Sequence, residues 1–514
     1  MRSAWLVGAG ILASRLAGLV RLRAFAHYFG LQSDAADAFT AAFRIPNLLQ
    51  NLFGEGALSG SFIPVYAALV ARGDRALADR VASAVATLLA LMVSVLVALG
   101  VATAPWLVDA VAPGFTGEKR DLTVALVRVL FPGAGLLVLS AWCLGVLNSH
   151  ERFLLSYLAP VVWNAAMIGV LLIWGPHTPA GGLVVGLAWG SVVGSALQLA
   201  VQLPAVVGLA TLRARWDTAS AHVRTVTRNF VPVLLGRGVV QVSAYVDTMI
   251  ASWLPTGAVT GLFNAQLLYT LPVSLFGMSI AASELPALAG MAATSPAGDE
   301  AVSRRLVGAL RQVAFLIVPS AVAFLAFGDS IAAALLQTGR FTAVDAALIW
   351  GILAGSAIGL LPSTLGRLYA STAYALQDSK TPFRCALVRV LLATVIGYLL
   401  AMHGPGVVGV PLLWGAAGLT LAGGIAAWVE LVLLRRALAA RLGPLGLPLA
   451  YLMRLGAAAL IAALGAFAVK RRLPPWHPLI SAACVLGPFG VVYLAVTSAI
   501  GVPEGPLRIR RWWR

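Results

Sequence analysis

Residues 37–66 read DAFTAAFRIPNLLQNLFGEGALSGSFIPVY, and this stretch decides the fold. Phe39, Phe43, Ile45, Leu48, Leu49, Leu52, Phe53 and Leu58 recur at helical spacing. Among them stand Asp37, Arg44, Asn47, Gln50, Asn51 and Glu55, with Pro46, Pro64, Gly54, Gly56 and Gly60 interrupting the run. Polar side chains and broken backbone at membrane depth survive only where protein buries them or where they line a wet cavity. A long extramembrane loop would not keep the helical recurrence. The segment therefore reads as part of a wall along a transport path.

The whole chain agrees. Of 514 residues, 60% are hydrophobic and 11% charged, and the mean hydropathy is +0.91. A soluble chain carries about a quarter charged residues. The fold class expected is an all-α polytopic membrane protein of about fourteen transmembrane helices, since each crossing needs roughly 20 apolar residues. The second, eighth and tenth apolar segments (36–70, 258–291 and 344–375) are long and interrupted, so kinks or re-entrant turns are expected there. The first run resembles a signal peptide, but Arg15, Arg21 and Arg23 break its core, and retention is expected.

Charge gives topology. With the N-terminus inside, most loop Lys and Arg fall on the cytoplasmic side. Only Lys119, Arg120, Arg340, Lys470, Arg471 and Arg472 fall opposite. The positive-inside rule places both termini in the cytoplasm of a multi-pass protein. The tail from Arg508 to Arg514, with Trp512 and Trp513, reads as an anchor on anionic membrane lipid. The net charge of +17 is spread over loops rather than gathered in a basic domain, so no nucleic-acid partner is expected.

An internal repeat is present. A shift of 222 residues lays Arg15 on Arg237 and Pro64 on Pro286, and Gly114-Phe115-Thr116 answers Arg340-Phe341-Thr342. The organisation expected is a six-helix lobe over 1–210, a second over 223–436 in parallel repeat, two extra transmembrane helices over 449–501, and a basic tail over 502–514. Two like-oriented halves suit an alternating-access carrier.

No enzymatic constellation emerges. Gly8-Ala9-Gly10 lacks a preceding strand, and no GxxxxGK[ST] or HExxH occurs. Cys143, Cys385 and Cys484 lie in separate apolar spans without metal-ligand spacing, so no metal and no cofactor is expected. Charges inside spans are costly and mark function or pairing. Asp247 with Arg237 or Arg389, and Glu284 with a neighbour, are candidate ion pairs, and Glu430 is expected at the interface beside Arg435 and Arg436. Arg15 and Arg21 have a single nearby carboxylate in sequence, Asp37. Arginine stays charged and grips phosphate oxygens in bidentate fashion, so an arginine-rich cavity suits a phosphate or pyrophosphate cargo.

SRLAGLVR (Ser14–Arg21), the 37–66 segment, APGFT (Ala112–Thr116), LPVSLFGMSIAASELPAL (Leu271–Leu288) and ALQDSKTPF (Ala375–Phe383) together resemble the MurJ (MviN) family of lipid II flippases, in the superfamily that includes the MATE exporters. The resemblance covers essentially the whole chain. It implies transfer of undecaprenyl-pyrophosphate disaccharide-pentapeptide between leaflets of the bacterial inner membrane, through a cationic cavity, by a transporter rather than an enzyme. It implies roles for Arg15, Arg21, Asp37, Asn47 and Glu55 in substrate handling. It also brings cell-wall synthesis proteins into view as partners of a monomeric carrier. Gln50 and Gln266 stand where relatives commonly have arginine, and Leu22 where an acidic residue often follows, so Arg44 and Arg237 are expected to restore part of the field. Asp247 matches an acidic sodium ligand of some relatives, whereas Ala393 and Gly397 occupy the other ligand positions. Coupling to the membrane potential or protons is thus favoured over sodium. The rivals are a flippase for another polyprenyl-pyrophosphate-linked glycan, a MATE-like exporter of soluble cations, which would need an acidic cavity, and a non-transporting scaffold.

Overall fold

A computed structural model describes residues 2–213, 216–217, 220–281, 283–284, 298–474 and 476–505, without the side chains of 2–9, 11, 55, 231–233, 235–244 and 298–299. Among the described residues the chain is helical, and its only bridge pairs Thr338 with Phe341. The helices are α1 (Arg2–Phe29), α2 (Asp34–Phe53), α3 (Glu55–Ser61), α4 (Ile63–Ala71), α5 (Arg75–Ala102), α6 (Ala104–Val111), α7 (Gly117–Ser149), α8 (Phe153–Trp174) and α9 (Ala180–Val207). There follow α10 (Ala221–Ser252), α11 (Ala258–Pro272), α12 (Gly298–Leu336), α13 (Ala343–Ala375), α14 (Lys380–Met402), α15 (Gly404–Val408), α16 (Gly415–Leu442), α17 (Leu449–Arg472) and α18 (Pro478–Ala499).

Twelve of the described spans are long and apolar enough to cross a membrane. Helices α1 and α10 are as long, at 28 and 32 residues, but carry charge: Arg15, Arg21 and Arg23 on one, Arg224, Arg228, Arg237 and Asp247 on the other. Counted with the twelve, they give the polytopic helical architecture that the hydropathy pattern demands. The element order recurs, with long α10, α11 and α13 answering α1, α2 and α7.

The interruptions fall where backbone chemistry requires them, which is only partly where the apolar runs suggested. The 36–70 segment breaks twice. Ser33 caps α2 by accepting from the Ala36 N–H at 3.2 Å, and the helix runs through Pro46 before stopping at Gly54. A Cβ on Gly54 would lie 2.3 Å from the Gln50 carbonyl oxygen, so only glycine fits that break. Pro64 then opens α4, where its missing N–H costs nothing. The 258–291 segment passes from α11 into a π-helical turn at Val273–Met278. In the tenth segment α13 is one helix through Pro362, without a re-entrant turn, and a capping box between Thr342 and Asp345 fixes its start. Breaks appear instead at Thr103, between α5 and α6, and at Phe327 within α12 (φ −134°, ψ 18°).

The chain forms two compact units. The first is Met1–Thr260 with Thr338–Phe341, and the second is Gly261–Gln337 with Thr342–Arg514. The compact boundary thus falls one helix beyond the start of the sequence repeat, because α10 packs with α2 and α3. Within the first unit one core gathers Phe25, Phe29, Phe39, Leu126 and Leu130 between α1, α2 and α7. Another gathers Phe62, Tyr66, Val81 and Trp142 around α4, α5 and α7. Within the second unit, α17 and α18 lie on α12, burying Leu455, Ala458, Ala459 and Ala462 against Phe315 and Phe327. Cys143 and Cys385 are buried and Cys484 half-buried, all as free thiols. The tail 506–514, expected as a lipid anchor, lies outside the described residues.

In the second unit α13 and α16 cross with their backbones nearly touching: a Cβ built on Gly359 would lie 2.6 Å from the Gly424 Cα. Small residues at such crossings let membrane helices gain close packing. Gly359→Ile is expected to separate the pair and destabilise the protein by about 2–3 kcal/mol, the usual cost of overpacking. A lowered melting temperature of the detergent-purified variant checks this.

Candidate functional site

The charged side chains of the first unit do three different jobs. Asp37 is buried at 1% exposure and fully engaged. Its Oδ2 accepts from the Gly257 N–H at 2.8 Å and from Lys119 Nζ at 3.0 Å. Its Oδ1 accepts from the Thr260 N–H at 2.9 Å and the Thr260 hydroxyl at 2.8 Å. Lys119 also reaches Asp34 at 3.0 Å, and the Thr256 hydroxyl donates to Asp34 at 2.7 Å. One carboxylate therefore joins α2, the start of α7 and the α10–α11 connection. Burying it is tolerable because charge-assisted donors fill its lone pairs.

Arg44, further along α2, meets α10. It donates to the Thr248 hydroxyl, its carbonyl accepts from the Tyr245 hydroxyl at 2.9 Å, and the carboxylate of Asp247 acts on it electrostatically. The structure thus brings together two candidates the sequence kept apart, Arg44 and Asp247, where Asp247 was expected beside Arg237 or Arg389. The side chain of Arg237 lies outside the described residues. Arg389 instead donates to Glu430 at 2.8 Å in the second unit. The cause is helix packing: α14 lies against α16, while Arg435 turns to the Leu445 carbonyl. Glu284 does find a neighbour, Arg305, at 2.5 Å.

Arg21 is different. Among the described residues it makes no ion pair. Its guanidinium carbon lies 4.6 Å from the ring centre of Trp163 and 5.8 Å from that of Phe43, and Nη1 points to Met167 Sδ at 3.5 Å. Cation–π contact of this kind offsets part of the cost of a charge at membrane depth but does not neutralise it. An anion with in-plane acceptors would gain from meeting it.

The remaining candidates are more dispersed. Arg15 is exposed on α1, and Asn47 and Gln50 are half-buried on α2. Glu55 opens α3, but its side chain lies outside the described residues. Gln266 is exposed in the second unit, where its Nε2 reaches the Thr270 hydroxyl at 3.4 Å. Sequence reading missed Lys119, Thr260 and Trp163. Lys119 sat in a presumed loop, and no local pattern marks an aromatic as the neighbour of an arginine 142 residues away. No group of three or more metal-ligating side chains forms among the described residues.

Asp37→Asn would leave the Gly257 and Thr260 donors and Lys119 competing for a single acceptor. It is expected to destabilise the protein by about 3–5 kcal/mol, as loss of one member of a buried ion pair does. Reduced thermal stability together with lost transport checks this, whereas lost transport at unchanged stability would place Asp37 on the cargo instead.

A family model described as "Lipid II flippase MurJ" matches residues 25–487. The lipid II flippase MurJ of Burkholderia cenocepacia is 35% identical over 433 residues, covering 82% of this chain and 80% of its own. A probable lipid II flippase MurJ of Vibrio cholerae is 30% identical over 448 residues, covering 85% and 82%. Among solved structures, a lipid II flippase MurJ in an inward closed conformation aligns with a TM-score of 0.78 at 22% identity, covering 96% of this chain and 98% of its own. An inward-facing multidrug resistance MATE transporter aligns with 0.65 at 17% identity, covering 83% and 95%. The two structures share the fold with this chain.

Proposed function

Because the chain belongs to the lipid II flippase MurJ family, we infer that it carries lipid II from the cytoplasmic to the outer leaflet of the bacterial inner membrane. It is a transporter, not an enzyme. We read the cycle as alternating access, with both termini in the cytoplasm as the loop charges favour. The observation that carries the reading is Arg21. A guanidinium kept charged in a membrane-embedded helix, without a carboxylate partner among the described residues, suits a pyrophosphate-linked cargo and does not suit a cation. Arg15 on the same helix, with Asn47, Gln50 and Glu55 on the adjoining segment, are the further residues we assign to cargo handling.

The test is complementation of a flippase-depleted bacterium, read as lipid II accessible at the outer leaflet. The wild-type chain is expected to restore it. Arg21→Ala and Arg15→Ala are expected to abolish restoration at matched expression, because the pyrophosphate loses charge-assisted donors. Full activity of both variants would overturn the assignment.

Coupling follows from the same charges. Arg44 supplies Asp247 with a fixed positive neighbour, which supports a cycle without sodium. A charge moved through the field gains roughly 2.3 kcal/mol per 100 mV, so the membrane potential or protons can supply direction. Flipping in vesicles with an imposed potential is expected to proceed without sodium. A strict sodium requirement that vanishes in Asp247→Asn would reverse this reading.

A further inference from the structure

We propose that Trp163 is the positioning residue that holds Arg21 charged and open to the anionic headgroup, an inference that rests on the flippase reading above. Helix α8 places Trp163 and Met167 one turn apart on the face that meets α1. The half-buried indole is held by several neighbours. Its Nε1 donates to the Ser191 carbonyl at 3.1 Å and lies 3.3 Å from the Ser191 hydroxyl on α9. Phe43 stacks on it at 6.0 Å with 24° between planes, and Phe39 continues the stack onto Phe43 at 5.7 Å. A Cβ on Gly194 would come within 2.9 Å of Trp163 Cδ1, so the ring sits flush on α9 with no room to swing that way.

The chemistry lies in which part of the guanidinium is occupied. Stacking uses its flat face, and bidentate bonding to phosphate uses the N–H groups on its edge. A carboxylate partner would take those edge donors and cancel the charge, as Glu430 does for Arg389. An indole takes the face, and Met167 sulfur, a weak acceptor, takes one donor. The remaining edge donors meet no carboxylate among the described residues. The stack also orders a long side chain before cargo arrives, removing an entropy cost from binding. Trp163 itself does not touch the cargo; it acts through Arg21.

The experiment uses the full chain purified in detergent, with lipid II as ligand, inorganic pyrophosphate as competitor and thermal melting recorded alongside. Trp163→Leu is expected to weaken lipid II binding about 5- to 30-fold, the range of a desolvated cation–π contact, while Trp163→Phe stays near wild type. In an Arg21→Ala background Trp163→Leu is expected to add nothing further, the signature of coupling between the two. Weakening of the same size in both backgrounds, or wild-type binding by Trp163→Leu, would overturn the proposal and reduce the ring to packing. Should Trp163→Leu not fold, Phe43→Leu removes the other ring and is expected to weaken binding in the same Arg21-dependent way; an Arg21-independent loss would count against it. A wild-type chain that binds no lipid II would instead overturn the flippase reading, which keeps the two failures distinct.

Discussion

The interactions of Asp37 hold the first unit together. A carboxylate at 1% exposure accepts two backbone N–H groups and a hydroxyl from Gly257 and Thr260 and an ammonium from Lys119, two places far from it in the chain. Removing a carboxylate from water is expensive, and only a complete set of donors makes it tolerable. The same bonds fix α2 against α7 and the α10–α11 connection. Since α2 also carries Phe39, Phe43 and Arg44, its placement decides where the aromatic stack and the Asp247 neighbour fall.

Charges at membrane depth divide by partner. Asp37 with Lys119, and Arg389 with Glu430, are satisfied pairs that hold helices. Arg44 is shared among a hydroxyl, a tyrosine and the field of Asp247, and it ties α2 to α10. Arg21 rests on rings. In a low-dielectric interior a satisfied pair has little left to offer a ligand, while a stacked guanidinium retains its full field. The distinction between scaffold and binding site is thus one of partner chemistry, and residue type alone does not make it.

Two of the candidate residues, Gln50 and Gln266, are neutral amides. Gln50 is half-buried on α2, and Gln266 is exposed with Thr270 as neighbour, so neither adds charge. With Gln50 neutral, Arg44 is the one cationic side chain of α2. That raises the weight carried by Arg21 and by whatever keeps it in place.

Much was legible in the sequence alone. Hydropathy, loop charge and the 222-residue recurrence determined an all-helical polytopic protein, since spans of the required length admit no other backbone solution in lipid. The stretch 37–66 located the breaks in its helix, because Gly54 and Pro64 act through local backbone geometry. Partners were not legible. Glu430 lies close to Arg435 and Arg436 in sequence yet bonds to Arg389. Arg21 was visible as a charge, but only the tertiary structure decided that Trp163 lies against it. Periodicity is local and survives in a string of residues. Which side chains meet depends on how helices pack, and that is set by the whole set of contacts at once.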